Sequence, residues 1–300
     1  METATLTPTW TLRLPRERSL DLGGRPRIMG ILNLTPDSFS DGGLWLDPPR
    51  AVEHGLRMLA EGADVLDLGA ESTRPGGGVY GEGAREVSPE EEAARLLPVL
   101  EALRAATDAP ISVDTRKGEV AARALAAGAD LVNDVSALSD LRLGEAVAAA
   151  GCPLILMHSR GELATMQRGI HFHDLLGEVC EELAGAALRA AACGIAREQL
   201  VLDPGIGFGK TWEQNLALIR HLDELVLLGR PVLLGASRKS FIAKASPRGD
   251  VPPERRLGGS LAAVVWGASQ GAAMVRVHDV AETAQLLDVL FAIGRQGADA

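Results

Sequence analysis

Eight short apolar runs recur along the chain, each followed by a longer amphipathic or alanine-rich stretch, and this alternation restricts the fold more than any other property. The runs cover residues 27–33, 64–68, 110–114, 130–134, 153–157, 200–203, 231–235 and 273–277. Runs this short suit strands buried on both faces, and the intervening stretches, such as 49–61, 89–106, 117–127 and 172–193, suit helices. Ser88-Pro89-Glu90-Glu91 is a helix start signal, and Gly62 and Gly128 stand where a helix must turn into the next strand. Eight βα units predict an α/β protein, a single (β/α)8 TIM barrel spanning 1–300; an open doubly wound sheet has typically about five or six strands. At 300 residues the length alone also allows two domains, and the periodicity decides between them. Trp10, Leu12, Leu14, Leu20 and Leu22, spaced around 15–19, predict that residues 1–25 form a β-hairpin closing the barrel floor.

A barrel carries its chemistry at the carboxyl ends of its strands. The first strand empties from an apolar run into a polar loop at Asn33, followed by Thr35, Pro36, Asp37, Ser38, Ser40 and Asp41. A well-capped strand end is the plain reading of such a loop. So many hard oxygen donors also form a set that Mg²⁺ accepts beside substrate phosphates. The other strands end at Glu71-Ser72-Thr73-Arg74-Pro75, Asp114, Asn133-Asp134, Met157-His158, Asp203, Ser237-Arg238-Lys239-Ser240 and Arg276-Val277-His278. Any one of these suits a solvated cap, but eight polar termini out of eight point to a working rim.

Composition removes several functions. The net charge of −10 and pI near 5.2 leave no positive stripe for nucleic acid. The first thirty residues carry charges and no signal-like core, and no apolar run approaches the length of about eighteen residues needed to span a membrane. Cys152, Cys180 and Cys193 have no metal-binding or CxxC spacing and fit free thiols in a reducing cytoplasm.

The strand ends divide into two chemical classes. Asp114, Asn133 and Asp203 are acceptors or amides suited to the donor-rich edge of a planar heterocycle. Arg74, Lys239, Arg276 and His278 form a cationic set suited to phosphate. The chain has only four lysines, Lys117, Lys210, Lys239 and Lys244, so Lys210 in a rim loop is either a solvated loop end or a working group. DPGIGFGK (203–210) is not a phosphate-binding P-loop, because Pro204 occupies the position that must be glycine. Its glycines instead let backbone lie flat beside an aromatic ligand, with Phe208 offering a face.

Taken in order, MGILNLTPDSFSDGG (29–43), ESTRPG (71–76), SVDT (112–115), VND (132–134), DPGIGFGK (203–210), SRKS (237–240) and RVHDV (276–280) resemble the dihydropteroate synthase family, from about residue 20 to about residue 290. The resemblance implies a transferase of folate biosynthesis. Such an enzyme joins (7,8-dihydropterin-6-yl)methyl diphosphate to 4-aminobenzoate, giving 7,8-dihydropteroate and diphosphate. By matching positions, it implies that Asp114, Asn133, Met157, Asp203 and Lys239 hold the pterin and that Thr73, Arg74, Arg276 and His278 hold the diphosphate. Phe39, Pro75, Phe208 and Ser240 would shape the aminobenzoate site. Asn33 and Asp41 would face a Mg²⁺ cofactor, and Asp114, Asp203, Lys239, Arg276 and His278 form the expected catalytic set. The Thr35-to-Gly43 stretch is expected to act as a lid.

The chain departs from the family pattern at Ala70, where glycine is usual. It also departs in the glycine-rich 76–83 stretch, and in 157–163, which lacks the expected Thr-Pro or Ser-Pro. Two other readings share the barrel: a pterin-binding methyltransferase, which has no use for a diphosphate cradle, and a non-catalytic pterin-binding paralogue. The apolar helices around 261–266 and 286–293 either pack on the barrel or also build a homodimer face.

Overall fold

Strand alternation sorts the barrel interior into an apolar base and a polar top. The computed structural model describes residues 10–34, 47–71, 87–162, 165–247, 249 and 251–295. A two-stranded antiparallel hairpin, β1 (Thr11–Leu14) and β2 (Arg18–Asp21), precedes the barrel strands β3 (Arg27–Asn33), β4 (Val65–Gly69), β5 (Ile111–Asp114), β6 (Leu131–Asp134), β7 (Leu154–Met157), β8 (Leu200–Asp203), β9 (Leu233–Leu234) and β10 (Met274–Val277). All eight barrel strands are parallel, in the order β8-β7-β6-β5-β4-β3-β10-β9. A parallel bridge between Leu202 and Val232, with the Leu202 amide 2.9 Å from the Pro231 carbonyl, joins β8 to β9 and closes the ring.

Each expected strand is present, most with ends within a residue of the sequence reading. The exception is the seventh: the run 231–235 keeps only Leu233 and Leu234 as ladder. Pro231 has no N–H to donate, and Val232 pairs sideways with β8 as a bridge.

The helices are α1 (Pro48–Ala60), α2 (Pro89–Ala106), α3 (Gly118–Ala126), α4 (Leu141–Ala150), α5 (Leu175–Ala192), α6 (Trp212–Arg220), α7 (Leu222–Val226), α8 (Ser240–Ala245), α9 (Leu257–Ser269) and α10 (Val280–Arg295). Ser88 caps α2 by accepting from the Glu91 amide at 3.2 Å, and Glu90, Glu91 and Glu92 place negative charge on its first turn. Gly62 and Gly128, with φ of 109° and 111°, turn the chain out of α1 and α3 toward the next strands. The inner faces of these helices form two apolar layers against the outside of the barrel.

Inside, Met29, Val65, Leu131, Ile155, Val201, Leu233 and Met274 form one floor with Leu12, Leu14, Leu20 and Leu22 of the hairpin. The hairpin therefore plugs the amino-terminal end, as its leucine spacing predicts. Its turn uses Arg16 and Glu17 at φ of 62° and 57°. Gln199 locks β1 in place, accepting from the Arg13 amide at 3.0 Å and donating to the Arg13 carbonyl at 2.7 Å. Arg16 and Arg18 reach up to the fully buried Asp130, which Arg104 grips from α2 at 2.9 Å.

Candidate active site

Two residues above the floor, the inward face of four strands turns polar: Asp67 on β4, Asn133 on β6, Asp203 on β8 and Arg276 on β10 follow Val65, Leu131, Val201 and Met274. Strand β5 supplies Ser112 and Asp114, and β7 supplies Met157. Asp67 is wholly buried, and its Oδ2 accepts from Arg276 Nε at 2.6 Å and from Asn133 Nδ2 at 3.1 Å. Arg276 also donates from NH2 to Asp114 Oδ2 at 2.9 Å. One guanidinium thus bridges two carboxylates, and one carboxylate fixes which way the Asn133 amide points.

That arrangement leaves a set of buried acceptors without a partner among the described residues: Asp67 Oδ1, Asp114 Oδ1, Asn133 Oδ1 and the Ser112 hydroxyl. A buried acceptor left unmade costs about 1–3 kcal/mol, so a ligand edge rich in N–H groups gains by meeting them. Burial, with Asp67, Glu92 and Asp134 nearby, pushes Asp114 up to about 7 in spite of Arg276. Burial likewise raises Asp203, against the pull of Lys239 and of the Gly205 amide, which donates to its Oδ1 at 2.7 Å. For Arg276 burial opposes the charge, and Asp67 and Asp114 more than offset it.

Lys239 enters from the loop after β9. It donates to the Ile206 carbonyl, its ammonium sits 4.8 Å from the centre of the Phe208 ring, and burial lowers it to about 8 although Asp203 favours the charge. Phe208 packs with Met157, Val135 and Met166 in a small apolar cluster, so the structure puts Phe208 on the same wall as Met157 and beneath Lys239. His278 follows β10, with Nδ1 3.0 Å from the Ser237 hydroxyl. Burial, reinforced by Arg238 and Arg276, lowers it to about 3, so in this structure it is neutral at neutral pH. Ser240 opens α8, directly after Lys239. Asn33 ends β3 on the inward face, paired in register with Gly69 of β4.

Other strand ends serve the fold. Asp134 is fully buried and accepts from the Ser136 amide at 2.8 Å and hydroxyl at 2.6 Å, capping its own loop. Glu71 is held by Arg116 at 3.1 Å and Lys117 at 3.0 Å and accepts from the Val87 amide at 3.1 Å. His158 faces Lys210 and Glu182. Lys210 is only 2 % exposed, which excludes the solvated loop end. Phe39, Asp41, Thr73, Arg74 and Pro75, together with the expected lid at 35–43, lie outside the described residues.

The residue that sequence reasoning missed is Asp67. Its signal is a charged residue in the middle of the apolar run 64–68, at the inward parity of Val65 and Gly69. Attention to strand ends passes over it.

A family model described as pterin binding enzyme matches residues 29–278. The dihydropteroate synthase of Synechocystis sp. is 45% identical over 276 residues, covering 92% of this chain and 92% of the relative. That of Escherichia coli is 44% identical over 272 residues, covering 91% and 93%. Among solved structures, the Xanthomonas albilineans dihydropteroate synthase with 4-aminobenzoic acid superposes with a TM-score of 0.86 at 45% identity, covering 95% of this chain and 98% of that one. The Yersinia pestis dihydropteroate synthase in a sulfonamide drug complex gives the same TM-score of 0.86 at 43% identity, covering 94% and 98%. With its barrel, its polar layer and this likeness over nearly the whole length, the chain belongs to the dihydropteroate synthase family of pterin-binding enzymes.

Proposed function

We propose that the polar layer holds the pterin ring of (7,8-dihydropterin-6-yl)methyl diphosphate and that the chain joins this substrate to 4-aminobenzoate, releasing diphosphate. The observation that carries the reading is the group of partnerless buried acceptors on Asp114 and Asn133, set between Asp203 and the donor Lys239. A reduced pterin presents amino and ring N–H donors along one edge and a carbonyl for a cation, which is the complement of this set. Met157 and Phe208 supply an apolar wall for the ring.

An aromatic amine is a weak nucleophile, so displacement at the exocyclic methylene depends on the departure of diphosphate. The proposed cradle is Arg276 and His278 with Thr73 and Arg74. His278 enters it neutral, and a diphosphate beside it supplies the counter-charge that favours its protonation. Asn33 offers a hard oxygen at the inward end of β3, which fits Mg²⁺ held jointly with phosphate oxygens, and Asp41 is the proposed second donor. Bound there, Mg²⁺ neutralises charge that develops on the leaving group.

On the ring side, Asp114 and Asp203 stand where positive charge collects when the carbon–oxygen bond breaks ahead of amine attack. Electrostatic stabilisation of this kind is worth roughly 3 kcal/mol per well-placed group. Ser240, at the start of α8, with Phe39, Pro75 and the far side of Phe208, forms the proposed aminobenzoate end. The 4-aminobenzoic acid in the Xanthomonas albilineans structure supports aminobenzoate as the second substrate. A cytoplasmic setting suits the three free cysteines, and among the described residues no helix is long and apolar enough to cross a membrane. The outer faces of α9 and α10 expose Trp266, Val289 and Ile293, a surface that suits a homodimer.

Diphosphate release measured with and without 4-aminobenzoate and Mg²⁺, on substrate carrying ¹⁸O in the bridging position, tests the function and the order of bond breaking together. Turnover requiring both additions, with label moving to non-bridging oxygens when the amine is left out, is the expected result. A folded protein that binds pterin and releases no diphosphate contradicts the function. Turnover with no label movement contradicts the dissociative order.

A further inference from the structure

Lys210 is a buried cation outside the polar layer, yet it grips the loop that carries part of that layer. Residues 203–210 leave the end of β8 and fold back over the end of β7. The Lys210 ammonium donates to the carbonyls of Phe208 at 2.8 Å and Gly205 at 3.1 Å, and to His158 Nδ1 at 2.8 Å. Accepting at Nδ1 places the His158 proton on Nε2, which donates to Glu182 at 3.0 Å. Three ammonium N–H groups thus meet three close acceptors, with the His158 carbonyl as a fourth at 3.5 Å.

The fit leaves no slack. A Cβ added at Gly205 would stand 1.8 Å from the His158 carbonyl oxygen, and one added at Gly209 would stand 2.6 Å from that of Arg160. Backbone is therefore pressed on backbone at both ends of the loop. The other side of the same loop serves Lys239: the Ile206 carbonyl accepts from its ammonium, and the Phe208 ring lies beneath it. One loop is held between two lysines, one facing the pocket and one facing away from it.

We propose that Lys210 is a positioning residue for the reaction: by drawing the Gly205 and Phe208 carbonyls toward His158, it turns the Ile206 carbonyl and the Phe208 ring toward Lys239 and keeps Lys239 opposite Asp203. The inference rests on the reading of the polar layer as the pterin site. Burial lowers Lys210 to about 7, with Lys239 and Arg160 acting in the same direction and Asp203 and Glu182 opposing them. His158, pushed down to about 2 by burial, Lys210 and Arg160, stays neutral throughout. Loss of the proton leaves Lys210 with fewer donors than acceptors, so the clamp loosens on the alkaline side of neutrality.

Lys210→Met and Lys210→Arg are compared with the wild type by diphosphate release across the neutral and alkaline range, with thermal unfolding as a folding control. In Lys210→Met the kcat/KM for the pterin diphosphate is expected to fall on the order of 100-fold, the size of loss that a misplacement of about 1 Å produces. The KM for 4-aminobenzoate carries little of that change. Lys210→Arg, whose guanidinium keeps its proton, is expected to recover part of the loss and to move the alkaline limb to higher pH. A Lys210→Met enzyme with lowered thermal stability but wild-type kinetic constants and an unmoved alkaline limb would overturn the proposal. If Lys210→Met does not fold, His158→Leu carries the test, since it removes the ring acceptor and leaves the backbone carbonyls: a smaller loss in the same constant supports the clamp, and unchanged constants overturn it. Wild-type turnover separates the two levels, because a folded wild type without turnover defeats the proposed function, whereas an active wild type with indifferent variants defeats only this inference.

Discussion

Asp67 and Asn133 show how much a single buried carboxylate can specify. By accepting from Asn133 Nδ2, Asp67 turns the amide oxygen away from itself and leaves it as an acceptor without a partner among the described residues. By accepting from Arg276 Nε, it places a charged guanidinium where Asp114 also reaches it. Strand-end motifs make Asp114, Asn133, Asp203, Lys239 and Arg276 legible in the sequence. Asp67 is legible only when the alternation inside 64–68 is followed to the inward face. Lys210 stands out as one of four lysines, but its burial depends on the 203–210 loop closing over β7, a contact that no local pattern encodes. The neutral state of His278 is equally invisible in sequence, because it arises from burial and from Arg238 and Arg276.

His278 also carries a pH dependence. The unfolded chain takes up a proton near the ordinary histidine value of about 6.5, while the folded protein resists until about 3. Between those values the unfolded state binds more protons, so this residue's contribution makes stability fall as pH falls through the window and leaves it flat above. Urea unfolding of wild type and His278→Gln at neutral and mildly acidic pH is expected to show a shallower acid loss in the variant; identical acid slopes would contradict the assignment.

At the scale of elements, the strands and the α2 start follow directly from local chemistry, because apolar runs and a Ser-Pro-Glu-Glu cap act over a few residues. The short β9 is the exception, and its cause is also local: Pro231 cannot join the ladder. The hairpin's place at the floor is legible from its leucine spacing, whereas its anchor is not. Asp130 begins the fourth run in sequence and appears there as an ordinary strand-flanking charge. In the structure it joins Arg16 and Arg18 of the hairpin to Arg104 of α2 and accepts from the Ile111 amide at 3.0 Å. Asp130→Ala removes the shared partner of all three arginines and is expected to lower stability by about 3 kcal/mol, the usual scale for breaking a buried ion pair. The arginines that remain are partly exposed, which limits the loss to that order. Chemical denaturation checks it, and a change under about 0.5 kcal/mol, the surface-substitution range, would show that the hairpin is held by its leucines and Gln199 without help from Asp130.

Across the whole molecule, an apolar floor sealed by the hairpin supports a polar layer two residues higher, and among the described residues the chain after β8, β9 and β10 lies at its mouth. The vertical division follows from period-two alternation in parallel strands. In the proposed reading it gives each substrate its own depth: the flat pterin among Asp67, Asp114, Asn133 and Asp203, and the diphosphate and aminobenzoate nearer the rim. The central claim is that the pterin ring sits in this layer and is read by these side chains. Calorimetric titration of the free protein with the pterin diphosphate, without amine, tests it most directly. Asn133→Leu and Asp203→Asn are each expected to weaken binding by about tenfold or more, the scale of one lost hydrogen bond to a charged or buried group, while Ser240→Ala leaves it unchanged. Wild-type pterin affinity in both folded variants would contradict the account.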